Sequence, residues 1–323
     1  MSLPALFHGR LAVPAIAAPM FLVSGPDLVT ETCRGGIVGT FPALNARSTA
    51  LYRDWLDDIA ARTAPPSGSA PFGVNLIVHK TNTRLEADLA VTVEKKVPIV
   101  ITSLGAAREV VDAVHSYGGL VFHDVISRRH AEKAAAAGVD GIIAVCAGAG
   151  GHAGTLSPFA LLGEIRRVFD KTLILSGAMS TGAHIAAAEV MGADLAYLGT
   201  RFIATRESLA AEDFKQMMLA AAAEDIIYTD AISGVNANFM KPSLVRAGLD
   251  PANLVRHGNL DMGNEAKAWR DVWSAGHGVG AITDIPAAAD LCARLAREYD
   301  AALAAVSARQ AARKRHPDIA AVS

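Results

Sequence analysis

Only three cysteines occur in 323 residues, and none stands at CxxC spacing, which excludes a zinc site and a disulfide framework. Cys33, Cys146 and Cys292 lie among apolar residues and read as buried thiols; Cys146 directly precedes a glycine-rich loop, but a nucleophile there would need a nearby base to lower its pKa. No apolar run reaches the length of a membrane span, and the N-terminus lacks the charged-then-apolar pattern of a signal peptide, so the expected compartment is the cytoplasm. An excess of one charge is also missing, with 30 Lys+Arg against 32 Asp+Glu and a formal charge of −2. The basic stretch at 309–315 is a short tail after a helix, so neither nucleic acid nor membrane is expected as a partner. What the chain does have is apolar residue, 51% of the total, and enough length for one large domain with an elaboration.

Short apolar runs of β type alternate with Ala/Leu-rich segments of helical period over the first two thirds of the sequence. The runs are 15–18, 36–39, 72–76, 99–102, 120–123, 141–144, 173–176 and 195–198. The helical segments are 26–34, 48–62, 84–95, 106–116, 127–137, 158–169, 181–191 and 208–223. Runs that are apolar throughout belong to strands buried on both faces, as in a parallel sheet covered by helices. Eight β/α units in succession favour the α/β class and a closed (β/α)8 TIM barrel over an open doubly wound sheet. Two helix-to-strand turns, Ala137-Gly138-Val139-Asp140 and Met191-Gly192-Ala193-Asp194, share a pattern, with glycine where a helix ends in the left-handed conformation. From 225 to 285 the alternation stops, no strand is evident, and Pro, Asn and Gly accumulate. The expected division is therefore a barrel over 1–224, a small inserted domain or lid over 225–285, and over 286–323 a helix returning to the barrel with a basic tail.

In such a barrel the active site lies at the C-terminal ends of the strands. There the sequence places Met20, Asn75, Ser103, His123 and Asp124 after or at the end of successive runs, then the loop Gly148-Ala149-Gly150-Gly151-His152-Ala153-Gly154. Its small residues let backbone approach a flat ligand closely, and His152 is the group in that loop able to move a proton near neutral pH. After the seventh and eighth runs come Ser176-Gly177-Ala178 and Gly199-Thr200-Arg201, where barrels often bind phosphate through backbone N–H groups. Either loop alone also reads as a tight turn with a helix cap. Two on successive strands, beside a histidine loop, point to a phosphate-bearing cofactor. Alanine at 178 is acceptable in such a turn where its φ stays negative. His123 either reaches the cofactor or caps its strand; Ser103, Asn236, Asn238 and His277 are candidates for the substrate side, with a structural role as the simpler reading.

Together, Ala18-Pro19-Met20, Phe72-Gly73-Val74-Asn75-Leu76, Gly150-Gly151-His152-Ala153-Gly154, Leu175-Ser176-Gly177-Ala178 and Leu198-Gly199-Thr200-Arg201-Phe202 resemble the nitronate monooxygenase family, formerly called 2-nitropropane dioxygenases. Trp273-Ser274-Ala275-Gly276 looks like the family segment that follows the inserted domain and approaches the flavin site. The superfamily also contains flavin-dependent enoyl-ACP reductases and NAD(P)H:quinone reductases. The resemblance implies an FMN-dependent barrel that oxidises alkyl nitronates or nitroalkanes with O2 to a carbonyl compound and nitrite. It puts Met20 and Asn75 against the flavin, Gly177, Ala178, Gly199 and Thr200 at the phosphate, and His152 over the reactive face as the base. His123, Gly151 and Ser176 complete the expected cofactor set, and no metal is implied. Where related reductases often carry His-Lys, this chain has His123-Asp124, and an aspartate cannot neutralise cofactor charge as a lysine could. The expected partners are a small-molecule substrate and O2; NAD(P)H enters in the alternative reading as a reductase of quinones or enoyl thioesters, a flavin-free barrel scaffold is a further alternative, and a homodimer is compatible with all of these.

Overall fold

The computed structural model of the chain describes residues 3–64, 68–105, 108–255 and 271–314. The expected helix start at 106–107, the part of the insertion at 256–270 and the end of the basic tail lie outside the described residues.

The strands are β1 (Ala15–Ala17), β2 (Val38–Pro42), β3 (Phe72–Ile77), β4 (Ile99–Ser103), β5 (Leu120–Val125), β6 (Gly141–Val145), β7 (Gly151–His152), β8 (Thr172–Ser176) and β9 (Leu195–Leu198). All but β7 pair in parallel, in the order β1-β2-β3-β4-β5-β6-β8-β9, and β1 closes the barrel on β9 with Ile16 opposite Tyr197. The second strand begins later than its run suggested, at Val38, because Gly36 is in the left-handed conformation with φ 75° and turns the chain out of the sheet.

Period-two alternation divides each strand between two cores. Ile16, Val38, Ile101, Phe122, Ile143 and Ile174 fill the barrel, with Phe7 stacked on Phe122 at 6.4 Å. Val74, Val100, Val121, Ile142, Leu173 and Ala196 face outward against the helices. Burial on both sides explains why these strands read as continuous apolar runs. Side-chain oxygens of Ser48, Ser127 and Thr181 accept hydrogen bonds that start three of the helices.

The shared turn pattern has a structural purpose. Asp140 and Asp194 each form the same two-point clamp on the preceding strand. Asp140 N donates to Val121 O and its Oδ2 accepts from Val121 N, both at 2.8 Å. Asp194 N donates to Leu173 O at 2.7 Å and its Oδ2 accepts from Leu173 N at 2.8 Å. The preceding glycines, Gly138 and Gly192, have φ 91° and 95°.

Beyond the barrel, β10 (Ile226–Thr229) and β11 (Ala237–Met240) pair antiparallel, and β11 pairs in turn with β7. This corrects the expectation of no strand after 225. The segments are short, and β11 finds its second partner in the glycine-rich loop some 85 residues away in sequence, an arrangement local periodicity does not report. Ile226, Met240 and Trp273 pack with Val23, Ile203 and Phe214, so the segment shares a core with the barrel rim. The helix Ala288–Lys314 returns along the helices Gly182–Val190 and Pro26–Arg34.

Candidate active site

At the C-terminal rim, Ser176, Gly177, Ala178, Gly199 and Thr200 line one narrow cleft together with Tyr197, Ala149, Gly150 and Gly278. Four residues expected at the cofactor phosphate, with Ser176 of the wider cofactor set, thus meet in one place. Gly177 has φ 144° and Ala178 φ 53°. The second value corrects the expectation of a negative φ at Ala178: the residue is left-handed, and its N–H donates to Gly148 O at 3.3 Å, which holds the turn against the glycine-rich loop. A side chain at Gly199 would project toward Ala18 and the thioether of Met20, so Met20 stands beside the same cleft. These residues fit a phosphate-bearing ligand.

The segment 273–278 forms the upper wall. Gly276 N donates to Thr200 Oγ1 at 2.8 Å and His277 N donates to Gly148 O at 2.9 Å. A Cβ at Gly276 would collide with Gly148 O, and one at Gly150 would lie 2.9 Å from Gly276 N. The glycines of the loop therefore admit another stretch of backbone, where the sequence alone suggested only a flat ligand. Asp284, further along this segment, anchors it to Arg201 at 2.7 Å and to Arg294 at 2.6 Å.

His152 is fixed by the small sheet. It pairs with Ala237, while Gly151 N donates to Ser274 Oγ at 2.8 Å and Tyr228 OH donates to Ala153 O at 2.9 Å. Ser274 Oγ donates to Asn238 O at 2.5 Å, and Asn238 Nδ2 donates to Ala149 O at 2.6 Å. Asn238 is therefore a brace of the loop. Burial pushes the imidazole of His152 down to about 4, so near neutral pH it is an unprotonated base.

The barrel floor beneath is polar. Asn75 Nδ2 donates to Ser103 Oγ at 2.8 Å and Ser103 Oγ donates to Asp124 Oδ2 at 2.5 Å. His123 lies elsewhere: it alternates with Asp124, sits on the helix side with Val121 and Val125, and bonds Thr102 Oγ1 through Nδ1 at 2.7 Å. Its burial lowers its pKa to about 4. Tyr197 and Asp124 are the groups sequence reading passed over or left in doubt; the parity of each strand, with Phe122 and Leu195 inside, is the signal that finds them. The three thiols are buried, each pushed up to about 12, and inert. Among the described residues there is no cluster that could hold a metal ion, and no helix long and apolar enough to cross a membrane.

A closed (β/α)8 barrel with a glycine-lined cleft and a part-buried imidazole at its C-terminal rim has the arrangement of barrel enzymes, whose sites lie at that end. The chain matches the family model described as nitronate monooxygenase over residues 8–298. A nitronate monooxygenase of Paraburkholderia phytofirmans is 30% identical over 279 residues, covering 74% of this chain and 76% of that protein. A (3aS,4S,5R,7aS)-5-hydroxy-7a-methyl-1-oxo-octahydro-1H-indene-4-carboxyl-CoA dehydrogenase of Rhodococcus jostii is 26% identical over 234 residues, and the match spans 72% of this chain but only 64% of that enzyme's length. Among solved structures, nitroalkane oxidase from Streptomyces ansochromogenes aligns with TM-score 0.80 at 24% identity, covering 93% of this chain and 100% of its own. FabK from Thermotoga maritima aligns with TM-score 0.77 at 22% identity, covering 95% and 100%. The two structures show the shared barrel. The chain belongs to the nitronate monooxygenase family, and membership makes it an oxidoreductase and implies a flavin cofactor.

Proposed function

We propose that this enzyme binds FMN and oxidises alkyl nitronates and their parent nitroalkanes, with His152 as the base. The observation that carries the reading is a neutral, part-buried imidazole held on a β-ladder at the rim that also bears the glycine-lined cleft. Gly177, Gly199 and Thr200 would hold the phosphate largely through backbone N–H groups, with Ser176 and Ala178 lining the cleft beside them, and Met20, Asn75 and Gly151 would border the rest of the cofactor. When bound, the flavin supplies the acceptor for electrons from the nitronate, and O2 completes conversion to a carbonyl compound and nitrite.

For a neutral nitroalkane, His152 takes the α-proton; the C–H bond pair moves into the nitro group, giving a nitronate and an imidazolium. The α-proton of a nitroalkane is unusually acidic for a C–H, because the charge left behind lies on the nitro oxygens, and this is what lets a neutral imidazole take it. A nitronate supplied as such needs no proton removal. His152→Ala should therefore lower kcat/KM for the nitroalkane by about 10²-fold or more and that for the nitronate only severalfold. Equal losses on both substrates would remove the base assignment. Anaerobic addition of a nitronate should bleach the flavin absorption, whereas bleaching by NAD(P)H instead would place the protein with the reductases.

A further inference from the structure

The polar floor of the barrel has a direction. Asn75 donates to Ser103 and Ser103 donates to Asp124 Oδ2, so the hydrogen bonds run one way, from β3 through β4 to β5. They end at a carboxyl whose other oxygen, Oδ1, is shielded from solvent and has no hydrogen-bond partner among the described residues. Native folds keep a buried unsatisfied oxygen where a ligand meets it or where strain is functional. Asp124 is on the inner wall, alternating with Phe122, and its charge acts on Tyr197, which lines the cleft beside Ser176 and Gly177. On the flanking strands the inward neighbours are Ser103, which bonds it, and the apolar Ile101, Ile143 and Val145; Tyr197 on β9 is the titratable group on which its charge acts.

We propose that Asp124, in its protonated form, donates a hydrogen bond through Oδ1 to a carbonyl or nitrogen acceptor of the bound flavin ring. The inference rests on the flavin reading of the cleft. A carboxylate at this place could only accept, and would set a negative charge against those acceptors; a carboxylic acid donates, and does so without net charge. Burial prepares that state by raising the carboxyl to about 6, against the opposing hydrogen bond from Ser103. The floor then holds the cofactor better on the acid side of that value and releases it on the alkaline side. The cofactor contact expected of His123 thus falls to the next residue, on the opposite face of the strand.

The test is equilibrium binding of FMN, followed by flavin fluorescence, from pH 5 to pH 8 in the wild type and in Asp124→Asn. The asparagine amide donates at every pH. The phosphate of FMN also titrates in this range, but identically for both proteins, so the ratio of their affinities isolates Asp124. We expect the wild type to lose at least tenfold in affinity relative to Asp124→Asn across the range. Ser103→Ala, which removes the bond that favours the ionised carboxyl, should move the wild-type midpoint to higher pH, and it serves alone if Asp124→Asn does not fold. Parallel affinity curves, or a midpoint unmoved in Ser103→Ala, would overturn the proposal with the flavin reading intact. No flavin bound by the wild type at any pH would overturn both.

Discussion

Ala178 shows how much one residue can conceal. At φ 53° it carries a side chain where the backbone favours glycine, and the left-handed conformation costs a non-glycine residue about 1–2 kcal/mol. Ala178→Gly should therefore raise stability by up to about 1 kcal/mol, seen as a small rise in Tm, with FMN affinity kept because the contacts are made by N–H groups. His152 makes a prediction of opposite kind. Its folded pKa of about 4 lies below the ordinary imidazole value, so between the two the unfolded chain binds the extra proton and stability falls as the pH falls. From pH 7 to pH 5 the wild type should lose about 1–2 kcal/mol relative to His152→Gln, measured by denaturant unfolding at each pH. At this scale the sequence was a good guide to residue type and a poor one to direction. Gly177, Gly199 and Thr200 fall in the cleft as their loops suggested, whereas His123 and Asp124, adjacent and both polar, could be told apart only once the parity of β5 was known.

The β/α units were legible because burial on both faces leaves an unbroken apolar signature, and helix ends carried glycine and Ser/Thr caps. The repeated Gly-x-Asp turn was visible as a pattern, and its cause is the clamp by which Asp140 and Asp194 hold the N–H of the second residue of the preceding strand. Asp194 also pairs with Arg166 at 3.0 Å. Asp194→Ala leaves Leu173 N–H without its side-chain acceptor and takes from Arg166 its carboxylate, though the guanidinium keeps Lys171 O and Gly192 O, and should cost about 2 kcal/mol, read from the shift in unfolding midpoint. Asp194→Asn, which retains one acceptor, should recover part of that. The β10–β11 hairpin was not legible. Its strands are four residues each, and what stabilises them is a distant loop and a shared core with Phe214 and Trp273, whose rings stack at 4.8 Å. Such pairings are set by tertiary contact, which overrides weak local preference.

Considered whole, the molecule is a barrel whose rim is closed by its own later sequence. The segment 273–278 lies on the glycine loop, backbone against backbone, and is tied down through Thr200 and the Arg201–Asp284–Arg294 cluster. Gly276→Ala would force that contact apart. The variant should keep its barrel, by circular dichroism, and lose at least tenfold in FMN affinity. On the proposed function, polar cleft, braced imidazole and covering segment form one device around the phosphate of the cofactor. The most direct measurement is therefore the affinity of the purified protein for FMN against riboflavin, which lacks the phosphate, by fluorescence titration under one buffer. Binding of FMN at least a hundredfold tighter than riboflavin is the predicted result; equal affinities would contradict a phosphate site in the cleft and with it the account of the site.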